Sequence, residues 1–174
     1  MTRTEGDGHD AGAAAARWWR THLAADTGAA KALRARLKRA VAPSEVLAHG
    51  PVIALAQELG LRDPHKIALI ARALATVGES HGQRLARRFG SGDPKPLSEL
   101  RFQRLIRAKT PEDLVTPLLR ALAIVDGKCN VAALGADLMH WGDAVRARWC
   151  FDYFGASTPQ ALAAVQAADE ETAE

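Results

Sequence analysis

Apolar residues recur along this chain with the spacing of helices. Leu33, Leu37 and Val41 lie at positions i, i+4 and i+8, which places them on one helical face. Residues 67–77 and 114–125 keep the same period of about 3.6 residues. No turn dipeptide typical of a hairpin lies between segments of alternating polarity. The pattern therefore predicts an all-α fold.

Residues that favour the start of a helix precede several of these apolar segments. Pro64 and Pro111 each follow a residue whose side chain can accept a hydrogen bond from the first helical turn, which is the usual start of a helix. The predicted N-caps are Ser44, Asp63, Ser98, Thr110 and Asn130. Ser157, Thr158 and Pro159 are predicted to open a last, alanine-rich helix.

One segment is too rich in glycine and proline to continue either neighbouring helix. Residues 90–96 read Gly-Ser-Gly-Asp-Pro-Lys-Pro, and we predict a linker over residues 90–97. The linker would join two packed helical subdomains, residues 13–89 and 98–168. Residues 1–12 are predicted to be a flexible acidic N-terminus and residues 169–174 an acidic tail.

The overall charge hides a more basic centre. The whole chain carries a net charge of +3, residues 1–12 carry −2 and residues 169–174 carry −4, so the intervening chain carries +9. Such an excess of one sign suits a polyanionic partner.

Basic residues also cluster along the predicted helices. The clusters are Lys31, Arg34, Arg36, Lys38 and Arg39, then Arg84, Arg87 and Arg88, then Arg101, Arg104, Arg107 and Lys109. A single cation opposite an apolar stripe is most often solvated surface, but a solvated face normally mixes both signs. One-signed clusters favour nucleic-acid binding, and arginine suits phosphate because its guanidinium donates two parallel hydrogen bonds.

Aromatic residues do not follow the basic faces. Trp18, Phe102 and Trp149 are predicted to lie in the core, so the sequence offers little for stacking on nucleic-acid bases. We therefore predict contacts with the phosphate backbone and no reading of base sequence.

Several classes of protein are disfavoured. No apolar run approaches the roughly 20 residues of a membrane span, and the first residues lack the apolar block of a signal peptide. Cys129 and Cys150 are the two cysteines, and their spacing fits neither a disulfide framework nor a zinc site. The expected location is the cytoplasm.

Catalytic signatures are also missing from the sequence. It has no phosphate-binding glycine loop, no zinc-protease motif and no nucleophile elbow, and its six histidines have no metal-binding spacing. We expect no enzyme activity, no cofactor and no metal. A Cys150–His140 nucleophile, or an acid–base set of Glu79, His81 and Asp93, remains a less favoured alternative, because buried thiols and solvated loop residues explain these positions.

Three segments together resemble the CasB family, the small subunit of the type I-E CRISPR surveillance complex Cascade. They are Trp18-Trp19 followed by residues 36–39, the central residues 97–108, and residues 130–153 with Trp141-Gly142. The resemblance covers residues 13 to about 155, and its central segment is the most specific.

The resemblance implies a non-enzymatic, all-helical protein of antiviral defence. Its expected partners are other Cascade subunits, guide RNA, the target and non-target DNA strands and a second copy of itself, and no membrane is expected to take part. Its expected role is to steady the R-loop and the displaced strand. The residues expected to contact nucleic acid are Arg36, Lys38, Arg39, Lys66, Arg101, Arg104, Arg107, Arg146 and Arg148.

Two positions depart from the family pattern. After the turn at Asp63-Pro64 either His65 or Lys66 could reach phosphate, and Asp143 follows Trp141-Gly142 where a basic residue would be expected. A free-standing helical DNA-binding regulator is the alternative function, and a preference for one defined DNA sequence would distinguish it.

Overall fold

Helices form nearly all of the regular structure. The structure is a computed structural model that describes residues 7–160 and Leu162. The helices are α1 (Asp7–Trp19), α2 (Gly28–Arg39), α3 (Pro43–Leu47), α4 (Gly50–Leu59), α5 (Pro64–Thr76), α6 (Leu85–Gly90), α7 (Glu99–Arg107), α8 (Pro111–Ile124), α9 (Val131–Met139) and α10 (Asp143–Tyr153). The all-α prediction is confirmed. No helix within the described residues is both long and apolar enough to cross a membrane.

Two short elements were not foreseen from the sequence. A π-helical turn, Arg20–Ala24, continues α1. Strands β1 (Glu79–Ser80) and β2 (Lys128–Cys129) pair in parallel, with Glu79 opposite Lys128. The Lys128 ammonium lies 3.7 Å from the Glu79 carboxylate, so an ion pair accompanies the pairing.

Helix α5 lies at the centre of the fold. It is buried over most of its circumference, including Ile67–Ala71 and Ala73–Ala75, as expected of a helix surrounded by other elements. It packs against α2, α3, α4, α8 and α9. Since α2 and α8 both rest on α5, this helix connects the two regions that carry the exposed basic faces.

Most of the predicted helix starts are confirmed. Asp63, Ser98, Thr110 and Asn130 each accept a hydrogen bond from the backbone of the first helical turn. The prediction for Ser44 was wrong, because α3 begins at Pro43 with Ala42 as its N-cap, two residues before Ser44. There the Glu45 carboxylate accepts hydrogen bonds from the backbone N–H groups of Val41 and Ala42, at 2.6 and 3.0 Å.

The apolar stripe of α2 is shorter than predicted. Leu33 and Leu37 are buried, but α2 ends at Arg39, and Val41 beyond it is 81% exposed. The expected core positions Trp18, Phe102 and Trp149 are confirmed as buried.

Helices α1 and α9 approach each other closely. A Cβ atom at Gly135 would lie 2.4 Å from the Cβ of Ala15, so only glycine fits at this crossing. The contact joins the first helix of the chain to the C-terminal half.

The predicted linker is attached to α10. Leu97 donates its N–H to the Phe89 carbonyl at 3.1 Å, and the Tyr153 hydroxyl donates to the Leu97 carbonyl at 2.6 Å. A Cβ at Gly90 would meet the Tyr153 carbonyl at 1.8 Å. Helices that precede the linker pack against helices that follow it: α1 against α9, α5 against α8 and α6 against α10. The division into two subdomains stays a prediction.

The chain ends lie partly outside the described residues. Helix α1 begins at Asp7, within the segment predicted to be a flexible N-terminus. Residues 1–6, the acidic tail and nearly all of the last predicted helix lie outside the described residues.

Candidate nucleic-acid interface

The first basic face is carried by α2. Thr27 caps this helix, and Leu33 and Leu37 pack it onto the π-helical turn and α5, which turns the opposite side outwards. Two of its cations are engaged locally: Lys31 lies 2.8 Å from Asp26, and Arg34 donates to the Leu23 carbonyl at 2.6 Å. The predicted contact residues of this helix, Arg36, Lys38 and Arg39, are exposed.

The second basic face is carried by α7. Ser98 starts this helix, and Phe102 and Leu105 are buried against its neighbours. The predicted contact residues Arg101, Arg104 and Arg107 are exposed.

A groove between α7 and α8 collects three guanidinium groups. It has a volume of about 530 Å³, with Arg101 and Arg104 contributed by α7 and Arg120 by α8. Apolar residues complete the lining: Leu97, Leu105, Pro117, Ala121, Ala123 and Ile124. The arrangement can hold negatively charged oxygens at the rim while an apolar surface lies beneath.

Arg120 was missed by the sequence analysis. It is the single basic residue of an otherwise apolar and acidic helix, so it belongs to no stripe. Only the packing of α8 against α7 brings it beside Arg101 and Arg104. The sequence carries no signal that would have found it.

The prediction for Arg148 was wrong. Its side chain is fully buried and forms an ion pair with Asp137 of α9. The Trp149 indole donates to the second oxygen of the same carboxylate at 2.7 Å. A guanidinium enclosed in this way helps hold α9 against α10 and has no surface to offer a phosphate.

Arg146 also turns towards the protein. Its side chain is 16% exposed, and its guanidinium donates to the Ile106 carbonyl at 3.2 Å and lies 3.5 Å from the Asp143 carboxylate. The Trp141 indole donates to the Ala108 carbonyl at 2.8 Å. Both side chains bond to carbonyls at the C-terminal end of α7, so the geometry gives Arg146 a structural role in place of the predicted phosphate contact.

Two members of the cluster of Arg84, Arg87 and Arg88 lie beside an internal carboxylate, and the Arg87 side chain remains 43% exposed. Arg84 is buried, and Arg87 lies 3.6 Å from Asp152, whose side chain is 1% exposed. Burial raises the pKa of Asp152, while the positive charges of Arg84, Arg148 and Arg87 act in the opposite direction. This basic cluster therefore neutralises an internal carboxylate.

The start of α5 carries the two candidates for a phosphate contact, His65 and Lys66, and their surroundings differ. The His65 imidazole lies 3.6 Å from the Glu112 carboxylate of α8. Lys66 is half-buried and lines a separate pocket together with Arg62 and Asp63. Contact of Lys66 with phosphate stays a prediction.

Burial or local hydrogen bonds account for three of the residues considered for catalysis or metal binding: Cys129, Cys150 and His81. Burial raises the pKa of Cys129 to about 12 and also raises that of Cys150, so both thiols are poor nucleophiles near neutral pH. His81 accepts a hydrogen bond from the Gln83 backbone at 3.0 Å. Among the described residues, no three His, Cys, Asp or Glu side chains gather as a metal site would require.

Comparison with known proteins identifies the family. The family model of the CRISPR-associated protein Cse2 matches residues 33–154. No curated protein matches the chain. A chain in the crystal structure of E. coli Cascade bound to a PAM-containing double-stranded DNA target shares the fold, with a TM-score of 0.60 at 21% identity over 80% of this chain and 93% of that chain. The chain therefore belongs to the Cse2 family, the CasB small subunits of type I-E Cascade that the sequence resemblance indicated.

Proposed function

We propose that this protein is a non-catalytic, nucleic-acid-binding subunit of Cascade that steadies the R-loop and the displaced DNA strand in antiviral defence. The observation that carries the proposal is the groove between α7 and α8, where Arg101, Arg104 and Arg120 surround one concave surface. Arg107 on α7 and the cations Arg36, Lys38 and Arg39 on α2 extend the exposed positive surface, and Lys66 is a further candidate.

The chemistry of this groove suits the nucleic-acid backbone. Arginine donates to phosphate oxygens in a fixed fork geometry, which positions a strand without reading its bases. The other residues that line the groove are apolar, among them Leu105, Ala121 and Ile124, so their side chains offer no donors or acceptors for base edges. Binding is therefore expected to be independent of sequence.

Modest binding energy is sufficient for such a role. R-loop formation exchanges a DNA duplex for an RNA–DNA duplex of similar stability, so contacts to the backbone tip the balance. A few phosphate contacts on the displaced strand would prolong the open state.

The proposed partners follow from the family and the related complex. The similar chain from E. coli belongs to a Cascade assembly bound to double-stranded DNA. By analogy we propose that this protein contacts other Cascade subunits, guide RNA and both DNA strands, and that two copies pair within the assembly.

The test uses Cascade reconstituted with the full-length protein carrying Arg104→Gln and Arg120→Gln. Each lost phosphate contact should reduce the log–log salt slope of single-strand binding by about 0.7, so the double variant should lose about 1.4. R-loop lifetime should shorten correspondingly.

The matched control is Lys95→Gln with Lys128→Gln, which removes the same charge from two exposed lysines outside the groove. The control should retain the salt slope and R-loop lifetime of the unmodified protein. An unchanged slope in the groove variant, or the same loss in both variants, would refute the groove as the binding surface.

A further inference from the structure

A second concave surface lies beside α2. It is a pocket of about 280 Å³ enclosed by the π-helical turn, by α2 and by the residues that lead into α4. Its polar lining comes from Thr21, His22, Thr27, Arg36 and His49. Two histidines from distant parts of the sequence thus meet one arginine of the exposed basic face.

The ionisable side chains that line this pocket are all basic. No carboxylate is among the described residues that line it. Acids on the surrounding elements are engaged elsewhere: Asp26 pairs with Lys31 at 2.8 Å, Glu45 accepts from the backbone before α3, and Glu58 pairs with Arg17 at 2.7 Å. Arg34 and Arg20 are further cations on the adjoining segments, and they add to the positive potential.

The two histidines are held by a fixed scaffold. The ring centroid of His22 lies 5.6 Å from that of Trp18. The Trp18 indole donates to the Pro51 carbonyl at 2.7 Å, which fastens the start of α4 beside His49. Both imidazoles are half-buried, so their side chains lose little conformational freedom when a ligand binds.

We infer that this pocket binds a phosphate group of a nucleic-acid strand, held by Arg36 together with His22 and His49. The inference rests on the proposed function and adds to it a defined phosphate site on the α2 face. A protonated imidazole donates hydrogen bonds from both ring nitrogens, and the arginine fork supplies the permanent charge.

The first experiment follows the histidine ring resonances of the full-length protein by NMR at pH 6 while inorganic phosphate is added. The resonances of His22 and His49 should shift and saturate, and that of His81 serves as the internal control. Equal shifts at all histidines, or no saturation at His22 and His49, would overturn the inference.

The second experiment replaces inorganic phosphate with a thymidine oligonucleotide that lacks terminal phosphates. The same two resonances should shift if the pocket holds a backbone phosphodiester. A response to inorganic phosphate alone would identify a small-anion pocket and would overturn the role in strand binding.

The variant His22→Gln with His49→Gln links the site to affinity. At pH 6 its affinity for the oligonucleotide should fall by about tenfold, the equivalent of one charge-assisted hydrogen bond. Equal affinities at pH 6 would overturn the inference. Loss of the salt slope in the Arg104→Gln, Arg120→Gln protein tests the groove separately, since that variant keeps the phosphate response of His22 and His49.

Discussion

Helices α7 and α10 carry arginines that look alike in the sequence and have opposite fates in the structure. In α7, Arg104 and its neighbours Arg101 and Arg107 are exposed. In α10, Arg148 is fully buried and Arg146 is 16% exposed in its side chain. A count of basic residues along a helix therefore does not reveal a binding face.

The difference between Arg148 and Arg104 follows from their positions relative to the buried residues of their own helices. Arg148 lies three residues after the buried Val145 and four before the buried Asp152, so it occupies the inward face of α10. Arg104 has neither spacing relative to the buried Phe102 and Leu105 of α7. Asp137 of α9 supplies the opposite charge that makes burial of Arg148 tolerable.

Arg146 of α10 nevertheless supports the helix that carries the exposed arginines of α7. Arg146 and Trp141 donate to the carbonyls of Ile106 and Ala108, where α7 ends. These bonds satisfy backbone acceptors that a helix terminus leaves without intrahelical partners. One region presents charge, and the other fixes the helix that presents it.

The largest expected effect comes from Arg148→Ala. Removing one member of a buried ion pair leaves the Asp137 charge uncompensated, and the free energy of unfolding should fall by about 3–5 kcal/mol. Urea denaturation followed by circular dichroism measures it. Arg104→Ala is the matched control on α7 and should change the unfolding free energy by less than about 0.5 kcal/mol.

A double variant sharpens this result. Arg148→Met with Asp137→Asn removes both charges and keeps an acceptor for the Trp149 indole, so it should recover part of the lost stability. If Arg148→Ala lowered the free energy of unfolding no more than Arg104→Ala, Arg148 would not be a structural residue of α10 and the proposed difference between the two helices would be wrong.

A smaller effect is expected from Arg146→Met. The substitution keeps the length of the side chain but removes its hydrogen bond to the Ile106 carbonyl, and stability should fall by about 1–2 kcal/mol. Amide hydrogen exchange in the last turn of α7 should accelerate. Arg107→Met, which removes an exposed arginine from the same helix end, should leave both measurements nearly unchanged.

The smallest effect concerns pH and Asp152→Asn. Because burial raises the pKa of Asp152 in the folded state, the folded protein binds more protons than the unfolded chain between the ordinary and the raised pKa. Stability contributed by this group is therefore greatest at low pH and falls as the pH rises through that window. Each pKa unit of such a shift corresponds to about 1.4 kcal/mol.

The measurement compares urea unfolding of the two proteins between pH 3.5 and pH 7. The unfolding free energy of the unmodified protein, taken relative to Asp152→Asn, should decrease with rising pH. An increase would show that the three neighbouring arginines outweigh burial and would reverse the assignment for this carboxyl group.

Much of the fold was predictable because local signals agree with the packing. Asp63, Ser98, Thr110 and Asn130 start helices in the structure as in the sequence, since a capping side chain acts on the backbone of its own first turn. The prediction for Ser44 was wrong because Glu45 accepts from the backbone N–H groups of Val41 and Ala42, and α3 begins at Pro43 with Ser44 inside it.

The candidate site was predictable only in part. The exposed arginines of α7 follow from the helical period, but Arg120 joined them only through packing of α8, and His22 and His49 met only through packing of α1 against α4. Arg148 and Arg84 were removed from the surface by carboxylates on other elements.

The sequence by itself determined the helical class, most helix starts, the core aromatics and the family, because each depends on the spacing of residues near one another in the chain. The tertiary structure alone decided which arginines remain exposed and which side chains share a groove. The physical reason is that a charge is buried or displayed according to its partners, and here those partners come from helices that are distant in sequence.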